Sequence, residues 1–208
     1  MRAIVEVRLK IDPNEKIVAD FLAERGFQCV RFSEEDIGKG PTPDYRVLKG
    51  KEFCFFCEVK SIDKEVWLDE QLKEVPPGTI AGGERPDPTF NRITNDIHKA
   101  IKQFDAVNPD VRFPNVLAFV NNESICRVHD LYEVFTGNYP SDDGTLHPIS
   151  KKYSDGRIKE EKHRIHLFIW IDVCKGNHNF MYTGIGSKYC IDLCGWFGKD
   201  PKSIIKKY

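Results

Sequence analysis

Pro43-Asp44-Tyr45-Arg46-Val47-Leu48-Lys49-Gly50-Lys51-Glu52-Phe53-Cys54-Phe55-Phe56-Cys57-Glu58-Val59-Lys60 is the stretch whose reading decides the fold. Two runs, Tyr45 to Leu48 and Glu52 to Ser61, flank Lys49-Gly50-Lys51, where a glycine closes a tight turn without a Cβ clash. The pattern predicts a β-hairpin. With Gly50 at the apex, Asp44 falls roughly opposite Phe56 and neighbours Glu58 diagonally across the ladder, so two carboxylates point the same way. Alternation puts Phe53, Phe55, Cys57 and Val59 on one face, and Glu52, Cys54, Phe56, Glu58 and Lys60 on the other.

Glu58 and Lys60 then emerge side by side. Hard cations such as Mg²⁺ take carboxylate oxygens and waters, while a neighbouring ammonium can orient a water or neutralise charge developing on a phosphate. That is the chemistry of phosphodiester hydrolysis. An acid-x-Lys tripeptide alone carries no weight. The signal comes from its combination with Pro-Asp at the mouth of the preceding strand, an apolar run leading into the Glu, and a helix upstream.

Pro43-Asp44 with Glu58-Val59-Lys60 resembles the signature of the PD-(D/E)XK, or restriction-endonuclease-like, superfamily. The resemblance spans about residues 12 to 122. It implies an α/β fold with an α-β-β-β-α-β core around a central mixed sheet, Asp44 and Glu58 as metal ligands, and Lys60 as the catalytic lysine. The activity implied is that of a Mg²⁺- or Mn²⁺-dependent nuclease, with DNA favoured over RNA, and the Val59 carbonyl would complete the ligand set. Asp44, Glu58 and Lys60 should converge in one solvent-accessible cleft with Val59 turned into the core. The alternatives are a catalytically silent domain of the same fold that binds nucleic acid or protein, and an unrelated α/β protein with a chance motif.

Upstream, Asp12-Pro13-Asn14-Glu15 opens a helix in which Ile17, Val18, Phe21 and Leu22 recur at helical spacing until Gly26. Asp12 as N-cap, Pro13 at the first helical position and Glu15 three residues after the cap form a capping box. Glu15 also shares a face with Val18, Ala19 and Leu22, which turns it toward the sheet as a candidate site residue. A strand from Phe27 to Phe32 follows, then Gly38-Lys39-Gly40 as a flexible approach to Pro43-Asp44.

From residue 62 to 90 regular patterning lapses, consistent with a substrate-covering flap or a plain surface insertion; Trp67 would stack on a base or pin the loop. Asn91 to about Ala106 is a helix with Ile93, Ile97, Ala100, Ile101 and Phe104 on one face. Gln103, beside the small Ala100, is its candidate contribution to the site, against a plain solvated face. Val116 to Val120 suits a strand covered on both sides and parallel to the active one. His129 to Phe135 reads as a short helix closed by Gly137, and Tyr139 to Arg157 as a loop or marginal hairpin.

The remaining third, about 123–208, reads as a β-rich extension of the same sheet: Ile165 to Val173, with Phe180 to Ile185 returning antiparallel. His163 and His166, on opposite faces of a strand, cannot readily share an ion, and His178 with Asp172 lacks a recognisable zinc spacing. Cys54-x-x-Cys57 likewise faces two ways on a strand, and Cys190 and Cys194 suit packing.

The 208 residues suffice for a single domain, and seven cysteines, several within apolar runs, fit reduced thiols. Neither a signal peptide nor a membrane-length apolar run is evident, so a cytoplasmic location is expected. A net charge of −1 weighs against nucleic acid, although Lys151-Lys152, Lys159 to Arg164 and Lys199 to Lys207 concentrate positive charge locally. A symmetric homodimer would suit a two-fold duplex.

Overall fold

Asn115–Asn121 (β4) is buried along its whole length, because it lies between two parallel neighbours and under helices on both faces. On one side Glu52–Ile62 (β3) pairs with it in parallel, and on the other Leu167–Asp172 (β7) does so. Antiparallel strands flank this centre: Tyr45–Lys49 (β2) and then Gln28–Arg31 (β1) beyond β3, and Asn177–Tyr182 (β8) beyond β7. The six-stranded mixed sheet therefore runs β1-β2-β3-β4-β7-β8 in this computed structural model, which describes residues 12–64, 70, 73, 75–79, 89–141, 143–149 and 156–202.

One face packs under Pro13–Ala23 (α1) and Lys188–Trp196 (α5), with Val18, Leu22, Phe55, Ala118, Ile169 and Leu193 in the core. Thr89–Val107 (α3) and Val128–Thr136 (α4) cover the other face through Ile93, Ile97, Phe104, Leu117, Phe168 and Leu131. Burying each such Val, Leu, Ile or Phe side chain contributes about 1.5–3 kcal/mol, so both layers drive folding. The apolar stripe read from the sequence for α3 is the buried one, and Gly137 ends α4 in the left-handed conformation, φ 76°. A small hairpin of Asn138–Pro140 (β5) and Leu146–Pro148 (β6) stands apart from the main sheet.

Several expectations are corrected. Glu34–Lys39 is a helix (α2), capped by the Ser33 hydroxyl, which accepts from Asp36 N at 3.1 Å, and not a flexible approach. In the hairpin, Tyr45 faces Cys57 and Val47 faces Phe55, but Leu48 faces Phe53. Cys54 is thus the extra residue of a β-bulge. The turn, which sets Lys49 against Glu52, and the bulge each shift the register by one, and together they move Asp44 from opposite Phe56 to a place alongside Glu58. The bulge also sends Phe53 to the face of Phe56, with ring centroids 4.8 Å apart, and puts Cys54 and Cys57 in the same core layer.

The C-terminal third is less β-rich than expected. The sheet extension is present, but Glu160–Arg164 is a short 3-10 helix carrying His163, and α5 closes one face of the sheet. The turn into β8 comes earlier than expected, with Asp172 already facing Asn177. Trp67, most of the 62–90 stretch and Lys151-Lys152 lie outside the described residues. Among the described residues no helix is long and apolar enough to cross a membrane.

Candidate active site

β2 begins at Tyr45, opposite Cys57, whereas β3 continues to Ile62. The edge of β3 beyond Cys57 therefore has no β2 partner, and a notch opens there. A main-chain N–H left unpaired in such a place is costly. Asp44 answers this: its carboxylate accepts from Val59 N at 2.8 Å, while its own N–H donates to the Glu58 carboxylate at 3.1 Å.

Lys60, two residues on and on the same face as Glu58, donates to Glu58 Oε1 at 2.5 Å and to Gln103 Oε1 at 3.2 Å. Gln103 comes from α3, on the face covering Glu58, and its Nε2 donates to the Thr42 carbonyl at 2.9 Å. Asp44, Glu58, Lys60 and Gln103 are thus brought into one hydrogen-bonded cluster, and Val59 packs in the core on the other face.

The expected open cleft is corrected in one respect. Glu58 is only 2% exposed, with Lys60 at 18%. Its carboxylate nevertheless has polar partners, accepting from the Asp44 N–H and the Lys60 ammonium with the Gln103 amide beside it. Burial pushes its pKa up to about 7, with the Asp44 charge adding to the rise and Lys60 opposing it. Asp44 is raised too, first by burial, against the Val59 N–H bond and the charges of Lys60 and Arg31.

Glu15 is placed differently from both of its expected roles. The Asp12 carboxylate does cap α1, accepting from Asn14 N at 2.7 Å, but no capping box forms with Glu15. Glu15 instead forms an ion pair with Arg31 of β1, because the inward face of α1 lies over that strand. It reaches the cluster only indirectly, through the Arg31 charge felt by Asp44. Arg31 and Thr42 were not legible as members: each acts through a contact long in sequence, and neither belongs to a local pattern.

A divalent cation would find two carboxylates and the Val59 carbonyl here, all hard oxygen donors, and would favour the ionised form that burial disfavours in both acids. Among the described residues no group of three or more His, Cys, Asp or Glu side chains is close enough to hold a metal ion. A cation here would therefore have two acids and one carbonyl as its protein donors.

Other titratable groups have structural employment. His166 Nδ1 accepts from Asn115 N at 3.0 Å, and burial pushes the ring down to about 4. Arg164, in the basic run at 159–164, pairs with Asp105 and donates to the Pro109 carbonyl at 3.0 Å. Cys190 and Cys194 lie together in the core with Sγ atoms 3.9 Å apart. Compared with known proteins, the chain matches no protein-family model, no curated protein and no solved structure.

Proposed function

We propose that the protein is a metal-dependent nuclease of the PD-(D/E)XK type, hydrolysing phosphodiester bonds with Mg²⁺ or Mn²⁺, with DNA favoured over RNA. The observation that carries this is the notch beside β3, where Asp44, Glu58 and Lys60 meet through direct hydrogen bonds, with Gln103 holding Lys60. The order α1-β1-β2-β3-α3-β4, with α2 inserted between β1 and β2, supports it as the element order of the resembling superfamily.

Asp44, Glu58 and the Val59 carbonyl would hold the cation. When bound, it would supply Lewis-acid polarisation of a phosphoryl oxygen and a water of lowered pKa. Asp44 and Glu58 fix the geometry of the site, Asp44 being itself fixed by the Val59 N–H. Lys60 places a positive charge where negative charge develops on the phosphate or where the attacking water must be oriented. Gln103 is a positioning residue, since its two hydrogen bonds tie the Lys60 ammonium to the loop that delivers Asp44.

The burial of Glu58 and the net charge of −1 favour a second reading, a nuclease-fold module that binds without cutting. Divalent-metal titrations with plasmid, single-stranded DNA and RNA side by side separate the two. Cleavage of at least one substrate with Mg²⁺ or Mn²⁺ is expected; binding without any cleavage would transfer the case to the module.

A further inference from the structure

Next to the notch lies a hollow of about 370 Å³, whose lining includes Phe32, Asp36, Thr42, Arg46, Ala106 and Val107. It is bordered by α2, the loop to Asp44, β2 and the C-terminal end of α3 and opens to solvent. Arg46 is two residues from Asp44 on the same face of β2, about 6.8 Å along the strand. Thr42 belongs to both places, as its carbonyl is the acceptor for Gln103.

The Arg46 guanidinium, planar by its chemistry, is held by two partners. It lies over the Phe32 ring, 4.0 Å from the centroid, and Asp36 pairs with it at 3.2 Å. Phe32 in turn stacks near Phe56, with centroids 6.2 Å apart, so the platform is anchored in the core. The side chain remains 41% exposed and lines the hollow. A guanidinium so fixed is a stacking surface for an unpaired base, and the Asp36 carboxylate can accept from a base amino group.

We propose that this hollow is a subsite for one unstacked nucleotide beside the bond that is cut. The substrate class is then nucleic acid that is unpaired at the cleavage point, such as a single strand, a flap or a frayed junction. A base stacked within a continuous duplex cannot enter a walled hollow without leaving its stack. The proposal rests on the nuclease reading for the meaning of the notch, and its test is a binding measurement that needs no cleavage.

Fluorescence anisotropy in Ca²⁺ would compare a labelled single-stranded DNA oligonucleotide with its blunt duplex. The single strand should bind at least about tenfold more tightly. Ala106→Trp fills the hollow from an exposed helix end and should weaken single-strand binding about tenfold while leaving duplex binding unchanged. Arg46→Lys keeps the charge but not the plane, and should weaken single-strand binding to a similar degree. Circular dichroism melts would verify that both variants fold. Equal affinity for the two probes, no binding of either, or unaltered single-strand binding in both variants would overturn the subsite. Failure of the nuclease reading looks different: the binding preference and its loss in the variants would persist, with no cleavage in Mg²⁺ or Mn²⁺.

Discussion

Two seams of the same sheet bury a titratable group, and they use it in opposite ways. In the notch beside β3, Glu58 is 2% exposed; where β4 starts beside β7, His166 is 6% exposed. Burial drives each toward its neutral form, Glu58 up to about 7 and His166 down to about 4. The difference lies in their partners. His166 accepts from a main-chain N–H and meets the Tyr189 ring edge-on, an arrangement with nothing left to exchange. Glu58 sits against Asp44, Lys60 and Gln103, all of which could re-pair around an ion or a phosphate. Burial alone does not mark a functional group; the role proposed for Glu58 rests on neighbours able to change partner.

The sharpest way to break this comparison is to remove the ammonium. Lys60→Ala should reduce cleavage about a hundredfold or more while Ca²⁺ binding persists, since in the proposed mechanism the charge acts on the reacting phosphate and not on the ion. Cleavage at the wild-type rate in single-turnover assays would remove Lys60 from the mechanism.

The pH dependence of stability separates the two seams next. Glu58, raised from 4.5 to about 7, contributes stability that is fully present below pH 4.5 and is lost as pH rises through about 7. His166, lowered from 6.5 to about 4, contributes stability present above pH 6.5 and lost as pH falls through about 4. Each is worth on the order of 3 kcal/mol and the windows overlap, so the two slopes oppose one another. Without metal, Glu58→Gln should make stability rise more steeply with pH across the overlap than in the wild type. His166→Asn should tilt it the other way. Urea titrations at several pH values read both slopes, and unaltered slopes would place the titrations elsewhere.

Smaller effects are expected at the edge of the cluster. Gln103→Ala should slow cleavage about tenfold, with the loss in kcat and little in KM, because it frees Lys60 without removing it. Glu15→Gln should change divalent-ion affinity by less than about threefold, or under 1 kcal/mol, since the Glu15 carboxylate faces Arg31 and not the notch. A larger loss on calorimetric titration would return Glu15 to the ligand set.

How far the sequence reveals this arrangement depends on the range of the forces involved. Asp12-Pro13 and the stripe from Ile93 to Phe104 are local signals, and α1 and α3 follow them. The bulge at Cys54 is silent, because residues 53–57 are apolar throughout and alternation has no polar member to reveal the slip. Glu34–Lys39 buries no residue and so has no apolar stripe, although Ser33 with three acids behind it is a cap signal. α5 was detectable: Cys190, Leu193, Cys194 and Phe197 follow helical spacing behind the Ser187 cap, but the cysteines draw attention to their chemistry instead. At the site, the Asp, Glu and Lys were legible from their strand context. The pairing of Glu15 with Arg31 was not, because it depends on how α1 crosses β1.

The central claim is that Asp44 and Glu58 together hold a divalent cation, and calorimetric Mn²⁺ titration at pH 8 tests it most directly. At that pH Glu58, with its pKa near 7, is mostly ionised. The wild type should show one saturable site, weakened at least about tenfold in both Asp44→Asn and Glu58→Gln. Affinity unchanged in both variants, or no saturable binding by the wild type, would contradict the account.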